Sequence, residues 1–228
     1  MVAASGTFGR PYRPPLPGLD DMAGTVLHAA EYRVPEPFAR RRMVIVGAGN
    51  SAVQIAAELA GHARVTLAAR HPVRFARQRT LGRDLRWWLK HTGLDTLPVG
   101  RFLRTPPTQL VIDDGRYCAA VTAGAPDQRP VFPGIEGTKD TWADGSTEDV
   151  DTILLATGYR PDLGYLDGLG ALDAHGHPRH REGMSLTHPG LAYVGLEWQR
   201  SLSSNSLRGV GRDAARISRH LVARLRGH

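Results

Sequence analysis

The stretch Arg42-Met43-Val44-Ile45-Val46-Gly47-Ala48-Gly49-Asn50-Ser51-Ala52 constrains this chain more than any other. It continues as Val53-Gln54-Ile55-Ala56-Ala57-Glu58-Leu59-Ala60-Gly61. An apolar run enters a glycine turn and leaves as a helix. Residues 43–46 read as a fully buried strand. Ala52, Ile55, Ala56 and Leu59 recur at helical spacing, and Gly61 suits a helix C-terminus. The turn reads G-x-G-x-x-A, the strand–turn–helix layout of a dinucleotide-binding unit. Gly47 would permit the tight turn, Gly49 the approach of backbone amides to a pyrophosphate, and Ala52 close helix–strand packing. The helix start offers unpaired N–H groups and a positive dipole end to phosphates. Ser51-x-x-Gln54 reads as a capping box. No second motif of this kind lies upstream. A second strand follows at 63–69, and the whole context outweighs the alternative of an ordinary βα turn.

The end of that second strand selects among dinucleotides. A carboxylate there would bond a ribose 2′-OH, whereas an arginine can grip a 2′-phosphate through two parallel bonds. This chain has Arg70, then His71 and Arg74, with no acid nearby. NADP(H) is therefore expected over NAD(H).

Composition narrows the class. The 228 residues suffice for one large domain or two small ones, and 41% hydrophobic with 22% charged residues fits a soluble globular chain. The net charge is +7, and of 29 basic side chains only Lys90 and Lys139 are lysine. The arginines are scattered without a nucleic-acid motif, so no nucleic-acid partner is expected. Cys118 is the only cysteine, which excludes an internal disulfide, a C-x-x-C pair and a cysteine zinc site. His175-Gly176-His177-Pro178-Arg179-His180 reads as a loop, and no metal is expected. No apolar stretch reaches transmembrane length and residues 1–5 lack signal-peptide character, so a cytoplasmic protein without membrane contact is the expectation.

Further along, residues 71–110 mix arginine, tryptophan and proline irregularly, an excursion expected to cover the nucleotide site. Trp142-Ala143-Asp144-Gly145-Ser146 carries a D-G turn between strands. Val150–Ala156 is a buried strand ending in Thr157-Gly158-Tyr159. Ala214, Ile217, Leu221 and Leu225 share one face of a terminal amphipathic helix.

Together these features resemble the later part of a flavin-containing monooxygenase-type oxidoreductase, an FAD- and NADP-dependent family. Residues 22–32 resemble its F-x-G-x-x-x-H-x-x-x-[FWY] fingerprint, with Gly24, His28 and Tyr32 in place and Met22 for phenylalanine. Gly47, Ala48, Gly49, Asn50, Ser51 and Ala52 match its NADP-binding glycine motif. Ala156-Thr157-Gly158-Tyr159 resembles its A-T-G-Y link between domains. Ala4-Ser5-Gly6 resembles an earlier A-T-G-type stretch, and Ser206–Asp213 the return into the FAD domain. The chain departs from the family in lacking the N-terminal G-x-G-x-x-G that holds the FAD pyrophosphate, which reads as an N-terminal truncation.

The resemblance implies an α/β, doubly wound Rossmann-type NADP-binding domain at 41–159 with helices on both sheet faces. It implies remnants of a second, FAD-binding Rossmann-type domain at 1–40 and 160–228, which come together. It implies FAD and NADP as cofactors, bound through Gly47–Ala52, Arg70, Thr157, Gly158 and Tyr159. The activity it implies is insertion of one oxygen atom into a small organic substrate through a C4a-(hydro)peroxyflavin, with this fragment inactive alone. The flavin does the hard step, so catalytic residues stay unassigned. Gln54 and Glu58 lie on the motif helix, and Trp87 and Trp88 read as core rather than cavity wall. An alternative stays open: a non-catalytic NADP-binding module or split-enzyme subunit that docks with a flavin-bearing partner chain, or a homo-oligomer. A disulfide reductase is disfavoured by the single cysteine.

Overall fold

The computed structural model of the chain describes residues 1–103 and 110–226. Its principal elements are β1 (Val2–Ala3), β2 (Thr25–His28), β3 (Arg42–Val46), α1 (Asn50–Leu59), β4 (Arg64–Ala69), β5 (Phe75–Arg77), α2 (Leu85–Thr92), β6 (Val111–Asp113), α3 (Arg116–Thr122), β7 (Asp127–Pro130), β8 (Gly134–Glu136), β9 (Lys139–Thr141), β10 (Thr147–Asp149), β11 (Thr152–Leu155), β12 (His180–Arg181), β13 (Met184–Ser185), β14 (Ala192–Tyr193) and α4 (Val210–Arg226). They divide into two compact units. The larger takes in residues 11–85 and 110–158, the smaller 1–10, 86–103 and 159–226. The expected excursion at 71–110 is thus divided between them, and its residues 104–109 lie outside the described part.

The larger unit is built on a five-stranded, wholly parallel sheet of order β7-β4-β3-β11-β2. The chain winds outward from β3 to β4 and β7, then crosses to β11 on the other side. This doubly wound Rossmann-type α/β class is the one the sequence predicts. Period-two alternation sorts the strand side chains between two faces. Met43, Ile45, Val65, Leu67 and Leu154 join Ala52, Val53, Ala56 and Leu59 of α1 in one core, on which Tyr117 of α3 also packs. Val44, Val46, Ile153 and Leu155 point the other way, onto Phe132, Ile135, Trp142 and Val150. That second face carries a three-stranded antiparallel sheet, β8-β9-β10, and not the expected helices. The reason is local. Turns at Gly137 (φ +60°) and at Asp144-Gly145 (φ +80° at Gly145) leave three-residue segments between them, too short for a helix.

The grouping of residues 1–40 is also corrected. β2 lies in the parallel sheet, paired with β11 from Thr25↔Thr152 to Leu155↔His28. Only residues 1–10 join the C-terminal third. A four-residue strand whose partner lies over a hundred residues away carries no local sign of which sheet it will enter.

In the smaller unit, β1 pairs parallel with β14, and β13 and β12 extend that sheet antiparallel in the order β1-β14-β13-β12. Ala3, Leu163, Leu166, Ala171, Leu191, Tyr193 and Leu196 form one cluster there. α4 lays Ile217 on Ala192 and Val194, with Ala214 and Leu221 beside it. Leu225, expected on the same face, is 79% exposed because the helix has by then run past the sheet.

Candidate functional site

The glycine turn sits where β3 hands over to α1. Gly47 has φ +144°, and a Cβ there would stand 2.4 Å from the Ala156 carbonyl oxygen and 3.3 Å from the Ala52 methyl. No side chain fits without displacing the end of β11. Gly49 precedes the helix in extended conformation (φ −87°, ψ −178°), with no side-chain cap. The expected Ser51 capping box is therefore absent. The helix begins at Asn50, so Ser51 comes too late to cap and is exposed instead. Asn50 turns its Oδ1 to accept the Ile112 N–H at 3.2 Å, which ties β6 to the helix start. The first-turn amides of α1 keep no side-chain acceptor, at the positive end of a ten-residue helix. Ala48 lies half-buried in the turn and Ala52 is fully buried beneath it.

Arg70 follows the last residue of β4 and is exposed. Gly47 donates its N–H to Ala68 O at 2.9 Å, so the turn and Arg70 share the C-terminal edge of adjacent strands. That edge is where open parallel sheets bind ligands. Among the described residues Arg70 has no ion-pair partner. The second glycine-led helix start of the larger unit differs: α3 follows Gly115, but the Asp113 carboxylate already accepts the Tyr117 and Cys118 N–H groups at 3.1 and 2.8 Å. Burial opposes the Asp113 charge, yet the Cys118, Tyr117 and Gly115 amides outweigh it and hold the carboxyl below its usual range. Sequence reasoning missed Asp113, although Asp113-Asp114-Gly115 ahead of a helix is a start signal.

Thr157 and Gly158 leave β11 beside the turn. Thr157 Oγ1 donates to Tyr12 O, and Gly158 (φ +83°) accepts Tyr12 N–H at 3.0 Å. His28 is buried, and its Nδ1 accepts the Ala30 N–H at 3.1 Å. Its Nε2 therefore carries the proton and donates to Gly158 O at 3.0 Å. Burial lowers its pKa, against the opposing pull of the Gly158 carbonyl. The fingerprint residues around it build the fold. A Cβ on Gly24 would lie 2.6 Å from Asp151 O, and Tyr32 donates its hydroxyl to Glu58 at 2.9 Å. Tyr159 belongs to the smaller unit, where it lies edge-on to Phe8 at 5.8 Å. Trp87 and Trp88 are not core. α2 has no buried residue, and the two rings meet edge-to-face at 4.8 Å, half exposed. The histidine loop is organised by Asp173, whose Oδ1 accepts the His175 and His177 N–H groups at 2.9 Å.

Comparison with known proteins places this geometry. Residues 1–95 match the pyridine nucleotide-disulphide oxidoreductase family. The chain is 31% identical, over 94% of its length, to an uncharacterised CzcO-like oxidoreductase of Geobacillus kaustophilus, covering 62% of that protein. It is 26% identical over 99% of its length to the indole-3-pyruvate monooxygenase YUCCA4 of Oryza sativa, covering 57% of it. A solved flavin-containing monooxygenase from Stenotrophomonas maltophilia superposes with a TM-score of 0.79 at 29% identity, over 98% of this chain and 62% of that one. In sequence and fold this chain is similar to flavin monooxygenase-type FAD/NAD(P)-dependent oxidoreductases. The cofactors of that family are FAD and NADPH. The chain spans about 62% of the length of the first curated relative it matches. No helix among the described residues is long and apolar enough to cross a membrane.

Proposed function

We propose that this chain is the NADP-binding part of an NADPH- and FAD-dependent monooxygenase that acts on a small organic substrate in the cytoplasm. One observation carries the reading: an uncapped helix start and an arginine without an ion-pair partner share one edge of a parallel sheet. The amides of Asn50, Ser51 and Ala52 would hold the NADP pyrophosphate, and Gly47 and Gly49 keep side chains out of its path. Arg70 would grip the 2′-phosphate. Thr157 and Gly158, held in place by His28 and Tyr12, complete the rim. FAD, when bound, supplies the redox and oxygen-transfer chemistry. The protein residues orient the nicotinamide cofactor and exclude water, and none is assigned as acid, base or nucleophile. The smaller unit, including Tyr159, is read as part of the FAD-binding domain.

A second reading is favoured by one feature. In the larger unit, among the described residues, the start of α1 is the one glycine-led helix start without a carboxylate on it, so that unit offers a single pyrophosphate seat. The chain would then be an NADP-binding module that works with a flavin-bearing partner. Titration with NADPH and NADH, together with oxygen uptake, tests both. Preferential NADPH binding without NADPH-dependent oxygen uptake is expected of the chain alone. Absence of NADPH binding would sink either reading.

A further inference from the structure

The charge of α4 is one-sided. Across the 17 residues Val210–Arg226 it carries five arginines and a single acid. That acid, Asp213, is buried and already paired with Arg200, whose Nε donates to it at 2.8 Å. The inward face is accounted for, with Ile217 buried on Ala192 and Val194 and with Ala214 and Leu221 beside it. Arg212, Arg219 and Arg226 lie on the opposite face, seven residues apart, with Arg216 alongside. A step of seven residues returns to almost the same side of a helix about 10 Å further along, so these three form a row. All four are exposed. Arg216 pairs with Glu182 at 2.8 Å, and Arg219 donates to Ala215 O of its own helix at 3.3 Å. Among the described residues Arg212, Arg224 and Arg226 have no ion-pair partner.

The row does nothing for the helix itself. Arg212 and Arg216 stand four residues apart, a spacing at which like charges destabilise a helix. Apolar groups accompany them. The stripe that packs on the sheet continues to Leu225, which overhangs the sheet and is 79% exposed. Val222, 42% exposed, lies between Leu225 and the arginine row. The last turn therefore offers water two aliphatic side chains next to cations, with no acid among them. These are the parts of a helix that lies in a membrane interface. Nucleic acid fits them less well. The helix carries no Asn or Gln to read base edges and no Phe, Tyr or Trp on which a base could stack, and Val222 and Leu225 gain nothing from a phosphodiester backbone.

We propose that α4 is a docking surface for a bilayer face rich in anionic phospholipid. The helix lies flat on it. The arginine row meets the headgroup phosphates and carboxylates, to which guanidinium groups bond two oxygens at a time. Val222 and Leu225 dip toward the acyl chains. This contact needs no membrane-crossing helix, and it would hold the chain at the anionic cytoplasmic leaflet. The inference goes beyond the cofactor reading and does not depend on it.

The test incubates the full chain with vesicles of phosphatidylcholine alone or mixed with phosphatidylserine, and measures binding by cosedimentation. Binding to the mixed vesicles alone is expected, and added salt should release it. Each arginine of the row should contribute about fivefold, so Arg212→Gln, Arg219→Gln and Arg226→Gln together should weaken binding about a hundredfold. Removing the same charge from the larger unit, by Arg41→Gln, Arg64→Gln and Arg116→Gln, should weaken it much less, which separates the row from net charge. Leu225→Gln, confined to the overhanging turn and so without effect on the melting temperature, should also weaken it severalfold. The proposal is overturned if neither vesicle binds, if both bind equally, or if the row variant binds as the wild type does. Retention by mixed-sequence RNA, lost in the row variant, with no binding to vesicles, would overturn it in favour of a nucleic-acid surface.

Discussion

At the scale of single residues, two side chains decide the most. Among the described residues Arg70 stands at the strand edge without a carboxylate partner, so its charge is available to a phosphate. A charge-assisted bond contributes about 1.5–3 kcal/mol, or about ten- to a hundredfold in affinity. Arg70→Ala should weaken NADPH by that factor in a fluorescence titration and leave NADH nearly unchanged. Equal losses would mean that Arg70 serves the shared phosphates or the fold. Asp140 is the opposite case, a fully buried carboxylate with neither oxygen hydrogen-bonded among the described residues. Burial, then the Glu148 charge across the hairpin, raises its pKa to about 7, against the pull of Arg42. A carboxyl whose folded pKa exceeds its unfolded value binds its proton more tightly when folded. Its contribution is complete below about pH 4 and is lost as pH rises through 7. Asp140→Asn should therefore match the wild type near pH 4 and exceed it by about 2–4 kcal/mol at pH 8. Urea midpoints at the two pH values measure this, and a constant difference between the proteins would refute it.

At the scale of elements, the β3–Gly47–α1 turn is the unit that matters. Its strand buries Met43 and Ile45 on one face and Val44 and Val46 on the other, so its position is determined from both sides. The turn then has one solution, because Ala156 O and the Ala52 methyl occupy the space a side chain would need. Gly47→Val should destabilise the larger unit by about 2 kcal/mol or more and abolish NADPH binding, as read from thermal melts with and without NADPH. A variant that melts and binds like the wild type would show that the turn can shift. The pairing of Arg42 with Glu148 works at the other end of β3. Two nitrogens of the guanidinium bond the two carboxylate oxygens, and Trp142 Nε1 donates to one of them at 2.8 Å. This holds the antiparallel sheet onto the parallel one at an edge remote from the turn.

At the scale of the whole molecule, two units with separate cores share one chain that crosses between them repeatedly. The smaller contains β1 at the edge of its sheet, with Met1 and Val2 largely exposed. An unpaired strand edge with apolar neighbours favours association. The chain alone should purify without stoichiometric FAD. Supplying an FAD-binding segment from a close relative, fused or as a separate chain, should restore yellow colour and NADPH oxidation. A well-behaved monomer that binds FAD tightly unaided would contradict this.

Much of this was legible in the residues themselves. The alternation in Arg42–Val46, the glycine turn, the α1 spacing and the β11 run are local patterns whose burial follows from periodicity, so the parallel α/β class could be read directly. The D-G turn at Asp144-Gly145 was legible for the same reason, since turn chemistry acts within a few residues. The capping box failed because Ser51 fits the pattern but the helix starts one residue earlier, a choice made by Asn50 reaching across to Ile112. The sheet that β2 joins, the antiparallel cover on the second face and the His28–Gly158 bond depend on partners far away in sequence. Local propensity carries no information about such partners. Tertiary structure decided them, because only packing brings the buried polar groups and the close-approaching glycines to the neighbours that satisfy or require them.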